Sequence, residues 1–161
     1  VGRGEAKRLL AARKLETLPL VDSNGRLRGL ITTQDLLKRQ RYPNASRDAK
    51  GRLLVGAAVG VSGDSIERAA ALYDAGADAL VVDVAHGHSD SVIDTIKRIK
   101  RARPAAEVVA SNVATFEGAR DLAAAGADGV KVGVGPGAIC STRLVTGSGV
   151  PQLSAVLDCA P

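Results

Sequence analysis

The residues best suited to chemistry lie in the stretch GVGPGAICST, Gly133 to Thr142. Three glycines at alternate positions, Gly133, Gly135 and Gly137, lead through Ala138 to a cysteine, Cys140, which Ser141, Thr142 and Arg143 follow. A free cysteine is most often a small buried hydrophobe. Hydroxyl and cationic neighbours favour the thiolate instead, and the thiolate is the nucleophile. Alternate glycines let a backbone turn sharply and bring carbonyls and amides close to a ligand or an ion. The spacing is not the G-x-G-x-x-G of a dinucleotide fingerprint, because no third glycine falls in place and no helix opens directly after it. The second cysteine, Cys159, falls in the helical pattern LSAVLDCA and reads as packing.

Other polar residues close apolar runs. Asp83 ends LVVD; a carboxylate there suits a ribose hydroxyl and equally suits a helix cap or a lysine partner. His86 and His88 follow it without a third ligand at a recognisable metal spacing, so a hydrogen-bonded turn is the better reading. Ser111, Asn112 and Thr115 end the next run.

The elements that position these residues are four apolar runs, each followed by a helical pattern: LLVGAAVG (53–60), DALVVDVAHG (78–87), EVVASNVAT (107–115) and DGVKVGVGPG (128–137). Their starts are 25, 29 and 21 residues apart, the length of one strand, one helix and two loops, so repeated βα units are expected. LYDAGADALVV (72–82) and LAAAGADGVKV (122–132) match in type at an offset of 50 residues, and Gly76 and Gly126 read as left-handed helix ends. The runs are apolar throughout and aromatics are only 2%, which suits parallel strands covered on both faces. In such folds ligands gather at the C-terminal ends of strands, where the polar residues above fall. An open sheet and a closed barrel both fit the pattern. Four units would be half of a (β/α)₈ barrel, whose full length is about 250 residues.

Residues 1–40 read as helix, strand, SNGR turn, strand and helix, a small α+β unit. The polar stretch RYPNASRDAKGR, 41–52, reads as a linker, and 53–161 as the βα domain. The net charge of +5 does not point to nucleic acid, since neither stacking aromatics nor a docking motif accompanies it. KRIKRARP, Lys97 to Pro104, sits where a helix end favours cations. Two cysteines make no disulfide framework, and no signal-like or membrane-spanning segment stands out; the expectation is a cytoplasmic, reduced protein with no membrane partner.

GVGPGAICSTR, with KVG before it and GVPQLSAVLDCA after it, resembles the active-site loop of the family of inosine-5′-monophosphate dehydrogenase and GMP reductase. VGAAVG, VVDVAHGHS and NVAT resemble the family's strand ends, and YPNASRDAKGR its re-entry into the barrel. LPLVDSNGRLRGLITTQDLL resembles the C-terminal half of a CBS module, with Gly29, Thr32 and Asp35 on its G-x-x-T-x-x-D pattern. The resemblance implies a partial (β/α)₈ TIM barrel holding strands three to six, NAD as cofactor, IMP as substrate and a homotetramer. It makes Cys140 the nucleophile on the purine and Thr142 the hydroxyl that handles the hydrolytic water. It makes Asp83 a ribose ligand, and Asn112 with the Gly133–Val134–Gly135 backbone part of the cofactor and substrate face. Carbonyls of Gly135, Gly137 and Cys140 match the family's potassium site. Ala138 stands where the family usually has a serine on the IMP phosphate. GMP reductase with NADPH is the rival within the family, and a non-catalytic CBS-type nucleotide sensor is the rival outside it. The 161-residue chain reads as a fragment, inactive alone.

Overall fold

The computed structural model describes residues 2–160, which divide into two compact units with the boundary between Leu53 and Leu54. In the first, α1 (Arg3–Arg13) precedes an antiparallel pair, β1 (Thr17–Val21) and β2 (Leu27–Thr32), and α2 (Thr33–Arg41) follows. The Thr32 hydroxyl accepts from the Asp35 N–H at 3.1 Å while the Asp35 carboxylate accepts from the Thr32 hydroxyl at 2.6 Å and its N–H at 3.2 Å. This reciprocal cap starts α2. The T-x-x-D pair thus meets the helix's own needs.

The turn in DSNGR closes as expected: Asp22 and Arg26 pair, Gly25 takes φ +76°, and the Asp22 carboxylate gathers the Asn24 and Arg26 N–H groups. DAKGR, inside the stretch read as a linker, builds the same turn. Asp48 N–H donates to Arg52, Gly51 takes φ +81°, and Asp48 accepts from both the Arg52 N–H and its guanidinium at 2.7 Å. A bridge between Arg47 and Leu53 flanks it, and these residues cluster with the first unit.

The second unit is α/β. Strands β3 (Gly56–Val59), β4 (Ala79–Val82), β5 (Glu107–Val113) and β6 (Gly129–Val132) form one parallel sheet in chain order. Helices α3 (Ser65–Asp74), α4 (Asp90–Ala102) and α5 (Phe116–Ala124) connect them, and α6 (Thr142–Thr146) and α7 (Gln152–Cys159) follow β6. Leu80, Val82, Val108 and Ala110 are fully buried on one face with Ile96, Ile99 and Leu122 of the helices. On the other face Val81 and Val109 are only half-buried, so the strands are fully covered on one side where the apolar runs suggest two.

The 50-residue echo has a double cause. At Gly76 (φ +99°) and Gly126 (φ +104°) each helix ends in the same pair of bonds, Gly76 to Tyr73 with Ala77 to Leu72, and Gly126 to Ala123 with Ala127 to Leu122. This is the Schellman closure, which needs a left-handed residue after the last helical turn. Two residues on, Asp78 accepts from the Val55 N–H at 2.8 Å and Asp128 from the Val108 N–H at 2.7 Å, each fastening the start of a neighbouring strand. The basic run is spent on similar pairs: Lys100 meets Asp128 at 2.6 Å and Arg103 meets Asp74 at 2.7 Å.

Asp128→Ala is expected to cost about 1–2 kcal/mol, mostly for the unpaired Val108 N–H, since the ion pair is partly exposed and screened. Lys100 holds the Asp128 carboxyl below its usual range. A carboxyl depressed in the folded state stabilises above its unfolded pKa and loses that contribution as pH falls through the folded value. The gap in urea midpoint between wild type and Asp128→Ala should therefore be widest at neutral pH and narrow in acid; a gap independent of pH would contradict this.

Candidate active site

The strand register assembles the first group of polar residues. Val82 pairs with Ala110 and Ser111 with Lys131, so Asp83, Ser111 and Lys131 stand side by side at the C-terminal ends of β4, β5 and β6. The buried Ser111 hydroxyl lies 3.0 Å from both the Val82 carbonyl and Asp83 Oδ1, and Lys131 Nζ lies 3.5 Å from the same carboxylate oxygen. Half of the Asp83 side chain remains exposed. Ser111 and Lys131 fix one oxygen while leaving the group accessible from solution. Lys131 escapes a reading of the sequence by runs, although a lone lysine inside GVKV is itself a signal.

Asn112 falls where the β5–β6 register shifts, between Ser111 and Val113, and so carries no ladder partner on β6. A bulge of this kind re-aims a side chain, a common device beside active sites. The Asn112 backbone is held from the other side: its N–H donates to Val84 at 3.1 Å and its carbonyl accepts from Gly87 at 2.7 Å. Its side-chain oxygen Oδ1 is buried and has no hydrogen-bond partner. Buried polar atoms are nearly always satisfied, so this one calls for a donor from a ligand or water.

The cysteine loop leaves and rejoins β6. Gly133 N–H donates to Val113 at 2.7 Å, Val150 N–H to Val134 at 2.9 Å, and the Gln152 side-chain amide to the Val132 carbonyl at 2.9 Å. Gly135 takes φ +73°, and the space beside it is tight: a Cβ there would stand 3.0 Å from the Ser148 carbonyl oxygen. Gly133 is also at positive φ, whereas Gly137 is not; its part is to receive the Cys140 N–H at 3.1 Å. The short α6, which the sequence pattern does not announce, begins two residues past Cys140.

Cys140 is half-buried, and its thiol is held below the usual range by the Thr142 hydroxyl, then the Thr142 N–H, then the charge of Arg143. Cys159, against the core beside Asp158, is pushed the other way by burial. One nitrogen of Arg143, Nη1, donates to the carbonyls of Gly135 at 2.6 Å and Gly137 at 2.7 Å, two of the three expected around potassium. Ala138 is exposed and Ile139 wholly so.

His88 Nε2 lies 2.9 Å from Asp121 on α5, and His86 is exposed. Thr115 caps α5 by accepting from the Gly118 N–H at 3.3 Å and stays outside the site. No group of three or more His, Cys, Asp or Glu able to hold a metal occurs among the described residues. No helix among them is long and apolar enough to cross a membrane.

A model of the IMP dehydrogenase / GMP reductase domain matches residues 20–161. The inosine-5'-monophosphate dehydrogenase of Nitrosopumilus maritimus is 58% identical over 160 residues, 99% of this chain and 34% of that protein. That of Aquifex aeolicus is 54% identical over 156 residues, 97% of this chain and 32% of that protein. Among solved structures, a GMP reductase variant from Trypanosoma brucei aligns with TM-score 0.78 at 50% identity, over 99% of this chain and 36% of its own. The variant's complex with guanosine 5'-monophosphate aligns with TM-score 0.74. The chain spans about a third of the length of the curated relatives it matches. On a match that takes in all but its first 19 residues, the chain belongs to the IMP dehydrogenase / GMP reductase domain family.

Proposed function

We propose that this protein oxidises IMP to XMP with NAD, using Cys140 as the nucleophile. The observation that carries the reading is the thiol itself: a half-buried cysteine on a loop at the strand ends, with Thr142 and Arg143 favouring its thiolate. Identity of 52–58% to several curated IMP dehydrogenases supports the dehydrogenase over the reductase. The 50% identity to the Trypanosoma brucei GMP reductase keeps NADPH-dependent reduction of GMP as the second reading.

In the first half-reaction the Cys140 thiolate adds to C2 of the purine, and the hydrogen on C2 departs with its electron pair. NAD, when bound, supplies the acceptor for that hydride. Cys140 is left bonded to C2 as a thioimidate. In the second half-reaction water adds to C2, the carbon–sulfur bond breaks, the sulfur recovers as thiol and XMP leaves. Covalent catalysis divides an oxidation and a hydrolysis into two accessible steps. Thr142, whose hydroxyl favours the charged form of the sulfur, would orient the water. Asp83, fixed through one oxygen by Ser111, would accept from a ribose hydroxyl, and the orphaned Asn112 Oδ1 would accept from the carboxamide or ribose of the cofactor. The Gly133–Val134–Gly135 backbone would line the same face.

Strands in simple chain order, without the reversal of an open doubly wound sheet, support strands three to six of a (β/α)₈ barrel. The proposal extends to a homotetramer in the cytoplasm and to residues 1–40 as the C-terminal half of a CBS module, with 41–52 leading into the barrel at 53–161. The 161-residue chain alone is expected to be inactive.

The test, on the full-length protein that carries these residues, is NADH formation with IMP and NAD, against GMP with NADPH as counterpart. XMP production supports the dehydrogenase; turnover of GMP alone moves the assignment to the reductase; activity with neither defeats the proposal. Within it, Ala138→Ser should tighten IMP binding by roughly ten- to a hundredfold, since a phosphate gains one charge-assisted hydrogen bond worth about 1.5–3 kcal/mol. Calorimetry showing equal or weaker binding would mean that the phosphate lies elsewhere.

A further inference from the structure

Two carbonyl oxygens of the cysteine loop, those of Gly135 and Gly137, converge on one point, and the point is occupied by Arg143 Nη1. Converging backbone carbonyls are how proteins hold a large monovalent cation. Here the positive charge belongs to the chain. The donor set expected around potassium therefore does not admit the ion in this arrangement, because the lone pairs it needs already face a guanidinium.

The clamp is built into the loop on every side. Gly135 presents its carbonyl from a φ of +73°, a conformation that glycine adopts without strain. Arg143 Cβ lies where a side chain on Gly149 would come within 3.0 Å, so the returning segment packs directly over the arginine. The Gly137 carbonyl also accepts the Cys140 N–H, which ties the clamp to the backbone of the nucleophile. Guanidinium is more weakly hydrated than ammonium and presents several donors in a fixed plane, so it bridges two carbonyls with little loss of freedom.

We infer that Arg143 is the resident cation of this loop, standing in the place where the family resemblance expects potassium, so that the loop is ordered without an added ion. A monovalent cation reaches the Gly135 and Gly137 carbonyls only by displacing the guanidinium. The inference takes from the family resemblance only the expectation of a potassium site and does not rest on the proposed activity. Arg143 is thus a positioning residue, acting on Cys140 through the backbone of Gly137.

The test is amide hydrogen exchange across residues 133–150 in potassium chloride and in choline chloride at equal ionic strength, with the β5 amides as internal reference. Wild-type loop protection is expected to agree within about twofold between the salts, an arm that needs no variant. In Arg143→Gln the loop should lose roughly tenfold or more of its protection in choline chloride, with β5 unchanged, and recover part of it in potassium chloride. Wild-type protection that depends on potassium overturns the inference. So does an Arg143→Gln loop as protected as wild type in choline, or one that potassium fails to rescue. None of these readings requires turnover, so an absence of IMP or GMP activity would defeat the proposed function and leave this result standing.

Discussion

In the full-length protein, Cys140→Ser is expected to abolish the turnover proposed above, by at least about a thousandfold or ~4 kcal/mol in the barrier, while leaving the fold intact. The sulfur is half-buried on a loop whose closing bonds run through the backbone of Val134, Gly137 and Val150, none of which the substitution touches. What it removes is the thiolate. A serine hydroxyl does not ionise near neutral pH, and the Thr142 hydroxyl and N–H that favour negative charge on sulfur cannot bring it there. The two cysteines provide an internal comparison. Cys140 titrates below an ordinary thiol because Thr142 and Arg143 favour its charged form, so its alkylation rate should rise through a lower pH range than a free thiol's. Cys159, raised by burial and by Asp158, should need higher pH and react slowly. Cys159→Ser should keep its activity, and bound IMP should protect Cys140 alone. If peptide mapping finds Cys140 no more reactive than Cys159 and the serine variant still turns over, the mechanism fails with it.

The parts of the structure that the sequence discloses are those whose causes are local. The βα repeat, the SNGR turn and the glycines at 76 and 126 each follow from conformational preferences over a few residues, and each is found in place. DAKGR is equally local, since it repeats the Asp, Gly and Arg of DSNGR at the same spacing; its polar setting masks the turn within the stretch read as a linker. The site is different. Asp83 meets Ser111 and Lys131 across 28 and 48 residues, a consequence of parallel register that no window of sequence contains. The Arg143 clamp spans only six to eight residues, yet needs the positive φ of Gly135 and the return of Gly149 over the arginine before it exists. Residue types at Asp83, Asn112 and Cys140 point to chemistry, whereas the partners that tune them come from how strand ends meet.

Gly87→Ala should destabilise the protein by about 2–3 kcal/mol and weaken cofactor binding more than substrate binding. Gly87 is buried between the ends of β4 and β5, with its N–H on the Asn112 carbonyl at 2.7 Å. A methyl group there would stand 2.7 Å from the Ser111 carbonyl carbon and 2.8 Å from both the nitrogen and the oxygen of Asn112. All three are backbone atoms, so no side chain can swing aside. The two strand ends must separate. The strain then falls on the bulge that aims Asn112 and on the Ser111 hydroxyl that fixes Asp83, the two groups proposed to hold the cofactor. Cys140 approaches from β6 and its loop, which Gly87 does not touch, so IMP protection of the thiol should survive. Gly4→Ala is the control: nothing lies within 4 Å of a Cβ at that position in α1, and alanine there should stabilise by up to about 1 kcal/mol. The measurement is thermal melting of the full-length protein together with its KM for NAD and for IMP. A Gly87→Ala protein that melts with wild type, or one whose IMP binding suffers as much as its NAD binding, would show that this contact does not couple the strand ends to the cofactor face.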